Sequence, residues 1–233
     1  TGSGKSTTIA AMIQYINERR SAHIMTIEDP IEYIHNHKRC MINQRQLHED
    51  TFSLKEALRR VLRQDPDVLL IGEMRDRETT EMALTLAETG HLVLATLHTM
   101  DTVQTINRGV DIFPASHQDQ IRIQLSFVTV GVVAQQLLPR ASGRGRVLAM
   151  EVMAANPAIR SQIRENDVHQ IYNTLETSAK EGMFTLNASL YRLWKENIIT
   201  KEVALNKSTN VKQLMRFMEH GFNRAESGFM GRS

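Results

Sequence analysis

The chain opens Thr-Gly-Ser-Gly-Lys-Ser-Thr-Thr and runs straight into Ile9, Met12, Ile13 and Ile16, apolar residues at helical spacing between Lys5 and Arg20. A glycine-rich turn that opens a helix is a phosphate-binding device. Its backbone N–H groups and the positive helix end cradle the anion, a lysine neutralises the outer phosphates, and the next hydroxyl meets Mg2+. Gly4, Lys5 and Ser6 supply the end of the pattern G-x-x-x-x-G-K-[S/T], and its first glycine would fall one position before Thr1. The chain is therefore expected to be a fragment, with that glycine and the strand feeding the loop in preceding sequence. Thr1, Gly2, Ser3, Gly4, Lys5, Ser6 and Thr7 are the candidate ATP-binding residues. The alternative, a chance match in a surface loop, is weakened by the amphipathic helix that follows.

Downstream, strands alternate with helices. AHIMTIEDP, 22–30, reads as a buried strand ending in carboxylates, and MINQRQL, 41–47, as a weaker strand. Ser53 with Glu56 is a capping box, and Leu54, Ala57, Leu58, Val61 and Leu62 stripe its helix. Pro66 breaks that helix, and Val68 to Ile71 form a short apolar strand. A helix from about Arg77 to Thr89 stops at Gly90, and HLVLATLH, 91–98, is the next buried strand. This is the pattern of an α/β fold, a mostly parallel sheet flanked by helices. After Pro114 the pattern changes. Residues 120–140 read as one long helix, RVLAMEVM as a strand, and the remainder as short helices punctuated by Gly182, Asn197 with Thr200, and Asn210. The expected domains are an ATPase core over 1–153, a helical region over 154–220 and a disordered tail over 221–233.

A phosphate loop needs an apolar strand ending in an acid. VLLIGE has that shape, but Gly72 stands where many ATPases place a metal-linked aspartate, so Glu73 is the candidate for orienting or deprotonating the attacking water. Glu28, Asp29 and Glu32 of TIEDPIE can replace the missing aspartate at the sheet edge where open α/β proteins bind ligands. Ser6 and Glu28 would then hold Mg2+, directly or through water. In isolation three acids beside a proline are turn chemistry; two elements after a phosphate loop they read as a metal site. His98 ends the next strand and can sense the γ-phosphate or link it to Glu73. His91, at that strand's other end, reads as structural, and the irregularly spaced His35, His37 and His48 read as solvated rather than metal-binding.

Composition removes other classes. A net charge of +2 in 233 residues offers no electrostatic case for nucleic acid or an anionic membrane surface. The longest apolar runs fall well short of the roughly 18–20 residues that cross a bilayer. Cys40 is the only cysteine, which excludes an internal disulfide and a multi-cysteine zinc site and fits a reducing cytoplasm.

Taken in order, GSGKST, TIEDPIEY, DPDVLLIGEMRD and AETGHLVLATLHT resemble the Walker A, Asp box, Walker B and His box of the hexameric secretion ATPases that drive type II secretion and type IV pili, and within them the pilus retraction ATPases. The resemblance extends to about residue 220. It implies a RecA-like P-loop NTPase domain followed by a small helical C-terminal region, a PAS-like N-terminal domain absent from this chain, and a missing Walker B aspartate as a family trait. It further implies Mg2+-dependent ATP hydrolysis by a homo-hexamer that retracts a pilus by disassembling it and so drives twitching motility. Such a motor works in the cytoplasm at the inner face of the bacterial cytoplasmic membrane. It engages an inner-membrane pilus platform protein and touches the membrane only through partner proteins, with neither zinc nor nucleic acid. Assembly motors of the family carry a tetracysteine zinc module that a single cysteine cannot build. AIRSQIRE, Ala158 to Glu165, is similar to the AIRNLIRE segment of retraction ATPases and departs from it at Ser161 and Gln162. That similarity implies a coupling role for Ala158, Ile159, Arg160, Ile163, Arg164 and Glu165. As a plain amphipathic helix the same segment turns Ile159 and Ile163 inward and Arg160 and Arg164 outward. An accessory paralogue, a regulatory ATP-binding subunit and a nucleic-acid motor stand as the alternatives.

Overall fold

A computed structural model describes residues 2–61 and 63–222. β1 (His23–Glu28), β2 (Met41–Gln46), β3 (Val68–Ile71) and β4 (Leu92–Ala95) run parallel in the order β2-β1-β3-β4. Successive side chains leave opposite faces of a strand. Ile24, Ile42, Val68 and Leu70 therefore meet Ile13 of α1 (Lys5–Arg19) on one face. Met25, Ile27, Leu69 and Ile71 meet α2 (Leu54–Val61) and α3 (Arg77–Glu88) on the other, through Ala57, Leu58, Val61, Ala83 and Leu86. β1 and β3, covered on both faces, are apolar over Ile24, Met25 and Ile27 and over Val68 to Ile71, whereas the edge strand β2 carries Asn43, Gln44, Arg45 and Gln46. Each large side chain so buried contributes roughly 1.5–3 kcal/mol. The helix starts are set by caps: Ser53 Oγ accepts the Glu56 N–H at 3.1 Å, and Asp76 Oδ1 accepts the Thr79 N–H at 2.9 Å. The α/β expectation is met, a parallel sheet flanked by helices.

α4 (Thr102–Asp111) and α5 (Ala115–Val128) follow. The long helix expected over 120–140 is corrected here, because it ends at Val128 and β5 (Gly131–Pro139) begins, paired antiparallel with β6 (Arg146–Ala154) over its whole length. Short apolar runs fit either period, and here a nine-residue partner strand decides for the sheet. A Cβ at Gly131 would lie 2.7 Å from the Met153 carbonyl oxygen, so this glycine is what lets the strand close on its partner. The α-helices that follow among the described residues are α6 (Pro157–Arg164), α7 (Ile171–Thr177), α8 (Leu186–Lys195), α9 (Lys201–Lys207) and α10 (Val211–His220). Asn156, Thr185, Thr200 and Asn210 cap four of them through their side chains. α8, α9 and α10 close on Leu138 and Ala149 of the hairpin, while α6 and α7 pack with Ile106 and Met153.

By internal packing the chain divides into two compact units, Lys5–His98 with Asp111–Gln118, and the remainder. The boundary expected at residue 153 falls inside the second unit, because the β5–β6 hairpin is the floor on which the C-terminal helices close. Phe222, expected in a disordered tail, packs on Phe217 with ring centroids 4.6 Å apart. The loop role expected of Thr1, the apolar-stripe role of Leu62 and the disorder expected of 223–233 lie outside the described residues. No described helix is long and apolar enough to cross a membrane.

Candidate functional site

Gly2 and Gly4 have φ of 77° and 87°, a left-handed backbone that glycine adopts without strain, and Ser3 lies between them. α1 begins at Lys5, so Lys5, Ser6 and Thr7 form a first turn whose unpaired N–H groups and dipole favour an anion.

β1 ends in Glu28, and Asp29, Pro30 and Glu32 lead into the loop beyond it. Ser6 Oγ donates to Glu32 Oε1 at 2.7 Å, and Thr7 Oγ1 meets Tyr33 Oη at 2.8 Å. Glu28 is engaged elsewhere: its Oε1 accepts from Thr26 Oγ1 at 2.6 Å and from Gln44 Nε2 at 3.3 Å. Glu32, expected with the Asp box, is thus the carboxylate that Ser6 reaches, while Glu28 turns to Thr26 and Gln44. Glu28 still obeys the strand's alternation and shares a face with Thr26, whose register partner is Gln44; Glu32 lies beyond the strand and reaches Ser6. Ser6 Oγ and Glu32 are hard oxygen donors that fit Mg2+, which binds through one or two carboxylates and phosphate oxygens and keeps several waters.

The acidic loop is held by residues that no motif announced. Gln44 and Gln46, two apart on β2, grip it with their amides. Gln44 Oε1 accepts the His35 N–H at 2.8 Å while its Nε2 donates to the Tyr33 carbonyl at 2.8 Å, and Gln46 Oε1 accepts the Ile31 N–H at 2.9 Å. Asn17, buried in α1, donates to the Asn36 carbonyl at 2.8 Å and accepts from the N–H groups of Lys38 and Cys40 at 3.1 and 3.2 Å. The available signals were a polar residue amid the apolar stripe of α1 and an alternating glutamine pair in MINQRQ. A buried amide is kept only where its hydrogen bonds are met. Of the scattered histidines, His37 Nδ1 accepts the Ile42 N–H at 3.0 Å.

At the end of β3 the missing aspartate acquires a physical reason. Gly72 donates its N–H to the Ile27 carbonyl at 2.8 Å, and a Cβ there would sit 3.1 Å from that oxygen and 3.2 Å from Glu28 Cα. The backbone carrying the Asp box passes so close that a side chain here would force it to give by a few tenths of an ångström. Beyond Gly72 the chain is tied to the segment after β4: the Met74 N–H donates to the Thr96 carbonyl at 3.1 Å and Thr96 Oγ1 donates to the Gly72 carbonyl. This zipper brings His98 to Glu73. His98 Nε2 lies 3.0 Å from Glu73 Oε1, and Arg75 Nη2 lies 2.7 Å from Glu73 Oε2. The hydrogen bond from Arg75, with His98 adding to it, holds the Glu73 carboxyl below its ordinary pKa against the opposing effect of burial. His91 Nδ1 instead bonds the Leu86 carbonyl at 2.9 Å, a local tie at the end of α3.

The AIRSQIRE helix, α6, buries Ile159 and Ile163 completely and leaves Ala158 exposed. Arg164 is exposed, bonding Ser161 Oγ at 3.2 Å and pairing with Glu165 at 3.3 Å. Arg160, expected outward, is corrected: its Nη1 donates to the carbonyls of Ser126 and Phe127 at 2.6 and 2.7 Å. These carbonyls end α5, where intrahelical partners run out, so Arg160 is a C-terminal cap supplied by a neighbouring helix. Arg160→Ala is expected to lower unfolding stability by about 1–3 kcal/mol through the carbonyls it leaves unpaired. Arg164→Ala should leave stability nearly unchanged, since exposed pairs contribute little. Denaturant melts of the two single variants separate these outcomes.

One buried acid escaped sequence reading altogether. Glu151 of β6 is 2% exposed, and its carboxylate accepts the Thr102 N–H at 2.9 Å, Thr102 Oγ1 at 2.7 Å and the Leu186 N–H at 3.3 Å, at the first residues of α4 and α8. Its surroundings in the sequence, RVLAMEVMA, alternate too weakly to mark a buried carboxylate.

Comparison with known proteins adds the following. The family model described as Type II/IV secretion system protein matches residues 1–203. The twitching motility protein of Neisseria gonorrhoeae is 50% identical over 214 residues, covering 92% of this chain and 57% of that protein. The type IV pilus retraction ATPase PilT of Pseudomonas aeruginosa is 50% identical over 208 residues, covering 89% of this chain and 60% of that protein. Among solved structures, the pilus retraction motor PilT with bound ADP superposes with a TM-score of 0.86 at 53% identity, covering 92% of this chain and 61% of the other. The chain thus spans less than two thirds of the length of these relatives.

Proposed function

Because the chain belongs to the type II/IV secretion system protein family, we propose that the complete protein is an ATPase whose hydrolysis powers retraction of a type IV pilus. The observation that carries this reading is the Glu73–His98 contact of 3.0 Å at the C-terminal ends of parallel strands, in the chain that opens with the phosphate loop. Phosphoryl transfer to water asks a protein mainly for positioning and neutralisation of charge. Lys5 and the first turn of α1 take the outer phosphates. Ser6 and Glu32 are the residues that would hold Mg2+, which when bound neutralises phosphate oxygens. Glu28, tied to Thr26 and Gln44, and Asp29 complete the acidic segment beside them, Glu73 orients the water or takes its proton, and His98 steadies one oxygen of Glu73 and senses the phosphate end. The assignment to retraction draws on relatives named for twitching and retraction at 50% identity. With it come a homo-hexameric ring, a pilus platform protein as the membrane-bound partner, and a station at the inner face of the cytoplasmic membrane.

The test uses the complete gene product. It should release phosphate from ATP in a Mg2+-dependent manner, with no stimulation by added DNA, and deleting the gene should abolish twitching while leaving pili on the cell. Turnover that requires DNA would identify a nucleic-acid motor, and loss of pili on deletion would identify an assembly motor.

A further inference from the structure

We infer that Arg75 is a positioning residue for hydrolysis: it holds one oxygen of the Glu73 carboxylate, as His98 holds the other. The inference rests on the reading of Glu73 given above. The two donors approach Glu73 on different oxygens, Arg75 Nη2 on Oε2 at 2.7 Å and His98 Nε2 on Oε1 at 3.0 Å. A carboxylate offers about four lone-pair sites, so two donors on two oxygens fix its plane and still leave each oxygen able to accept from a water.

Folding does not account for Arg75. Its side chain is 69% exposed, and an ion pair in that setting contributes little to stability. The backbone on either side is instead held independently. The Met74 N–H bonds the Thr96 carbonyl, and Asp76 is the N-cap of α3, so Glu73 and Arg75 project from a pinned segment. The charge of Asp29 acts on Arg75 in the same sense as that of Glu73, favouring its protonated form. Without the guanidinium, Glu73 Oε2 would lose its donor and only His98 would hold the carboxylate, through Oε1. The charged groups acting on Glu73 are Arg75 and His98.

The pH consequence has a definite sign. Activity needs Glu73 ionised, and Arg75 keeps it ionised to lower pH. Removing Arg75 must therefore move the acid limb of the kcat profile to higher pH. In the complete protein, Arg75→Ala, Arg75→Lys and Glu73→Gln are compared by ATP turnover across pH and by binding of a fluorescent ADP analogue. Arg75→Ala should lower kcat about tenfold or more, because a misdirected catalytic group is costly, with ADP-analogue affinity and KM within about twofold of wild type. Its acid limb should shift upward, and Arg75→Lys, which restores the charge, should recover part of both effects. Wild-type kcat in Arg75→Ala, a fall without a shifted acid limb, or no recovery with lysine would each overturn the inference. The control separates it from the reading it rests on. Normal turnover by Glu73→Gln removes Glu73 from the chemistry, whereas an inactive Glu73→Gln beside an unaffected Arg75→Ala removes Arg75 alone.

Discussion

Glu73→Gln in the complete protein is expected to leave ATP bound and unhydrolysed, and Lys5→Ala to leave it unbound. The two side chains do different work because they hang from different parts of the sheet. Lys5 begins α1 directly after the glycine turn, where a lost cation removes the partner of the outer phosphates. Glu73 follows β3, and its neighbours are donors, Arg75 and His98, which have no use for each other without the carboxylate between them. Glutamine preserves size and can accept from His98, but it carries no charge for Arg75 and cannot take a proton. A positioned general base is worth roughly 10²–10⁴ in rate, so turnover should fall by at least that order. Binding of a fluorescent ATP analogue and single-turnover phosphate release, measured on both variants, distinguish the roles. Near-normal release by the glutamine variant would remove Glu73 from catalysis, and tight ATP binding by Lys5→Ala would move the phosphate contact elsewhere.

The residues that chemistry constrains most tightly were the most readable. The loop, the two acid-ended strands and His98 each combine a residue type with a position at a strand or helix end, and periodicity locates those ends. β1 and β3 are buried on both faces, so Val68 to Ile71 could be read as a strand from four apolar letters and a flanking proline. Local pattern failed where a partner outside the segment itself decides. Residues 131–139 are a strand because β6 pairs with them, and nothing in their own spacing says so. Arg160 sits on the polar side of α6 yet bends to the carbonyls that end α5, a contact made across 34 residues. Glu32 is the acid that meets Ser6 because a register, Thr26 opposite Gln44, keeps Glu28 occupied. Gln44, Gln46 and Asn17 left only faint signals for a related reason, since an amide that holds a loop is the same letter as one that faces solvent.

The second large effect belongs to Glu151, and it concerns folding rather than chemistry. Its buried carboxylate serves two helix starts at once, through the N–H and hydroxyl of Thr102 and the N–H of Leu186. A helix start carries orphan N–H groups and partial positive charge, so an acid placed there satisfies donors and interacts favourably with both dipoles. Glu151→Ala removes all three contacts in a place water does not reach, and each unsatisfied buried donor costs about 1–3 kcal/mol. A loss of about 3 kcal/mol or more is expected, a large share of the roughly 5–15 kcal/mol that holds a typical domain together. Glu151→Gln should cost less, since its one carbonyl oxygen can still serve one helix while its amide meets donors with a donor. Denaturant melts give the totals, and hydrogen exchange locates them. Amides at the starts of α4 and α8 should lose protection in Glu151→Ala well before those of β1 and β3, because only the former are anchored by this carboxylate. Unchanged melts in the alanine variant, or exchange that rises uniformly, would mean that the two helix starts are held by packing around Ile106 and Leu190 and that the carboxylate is incidental to them.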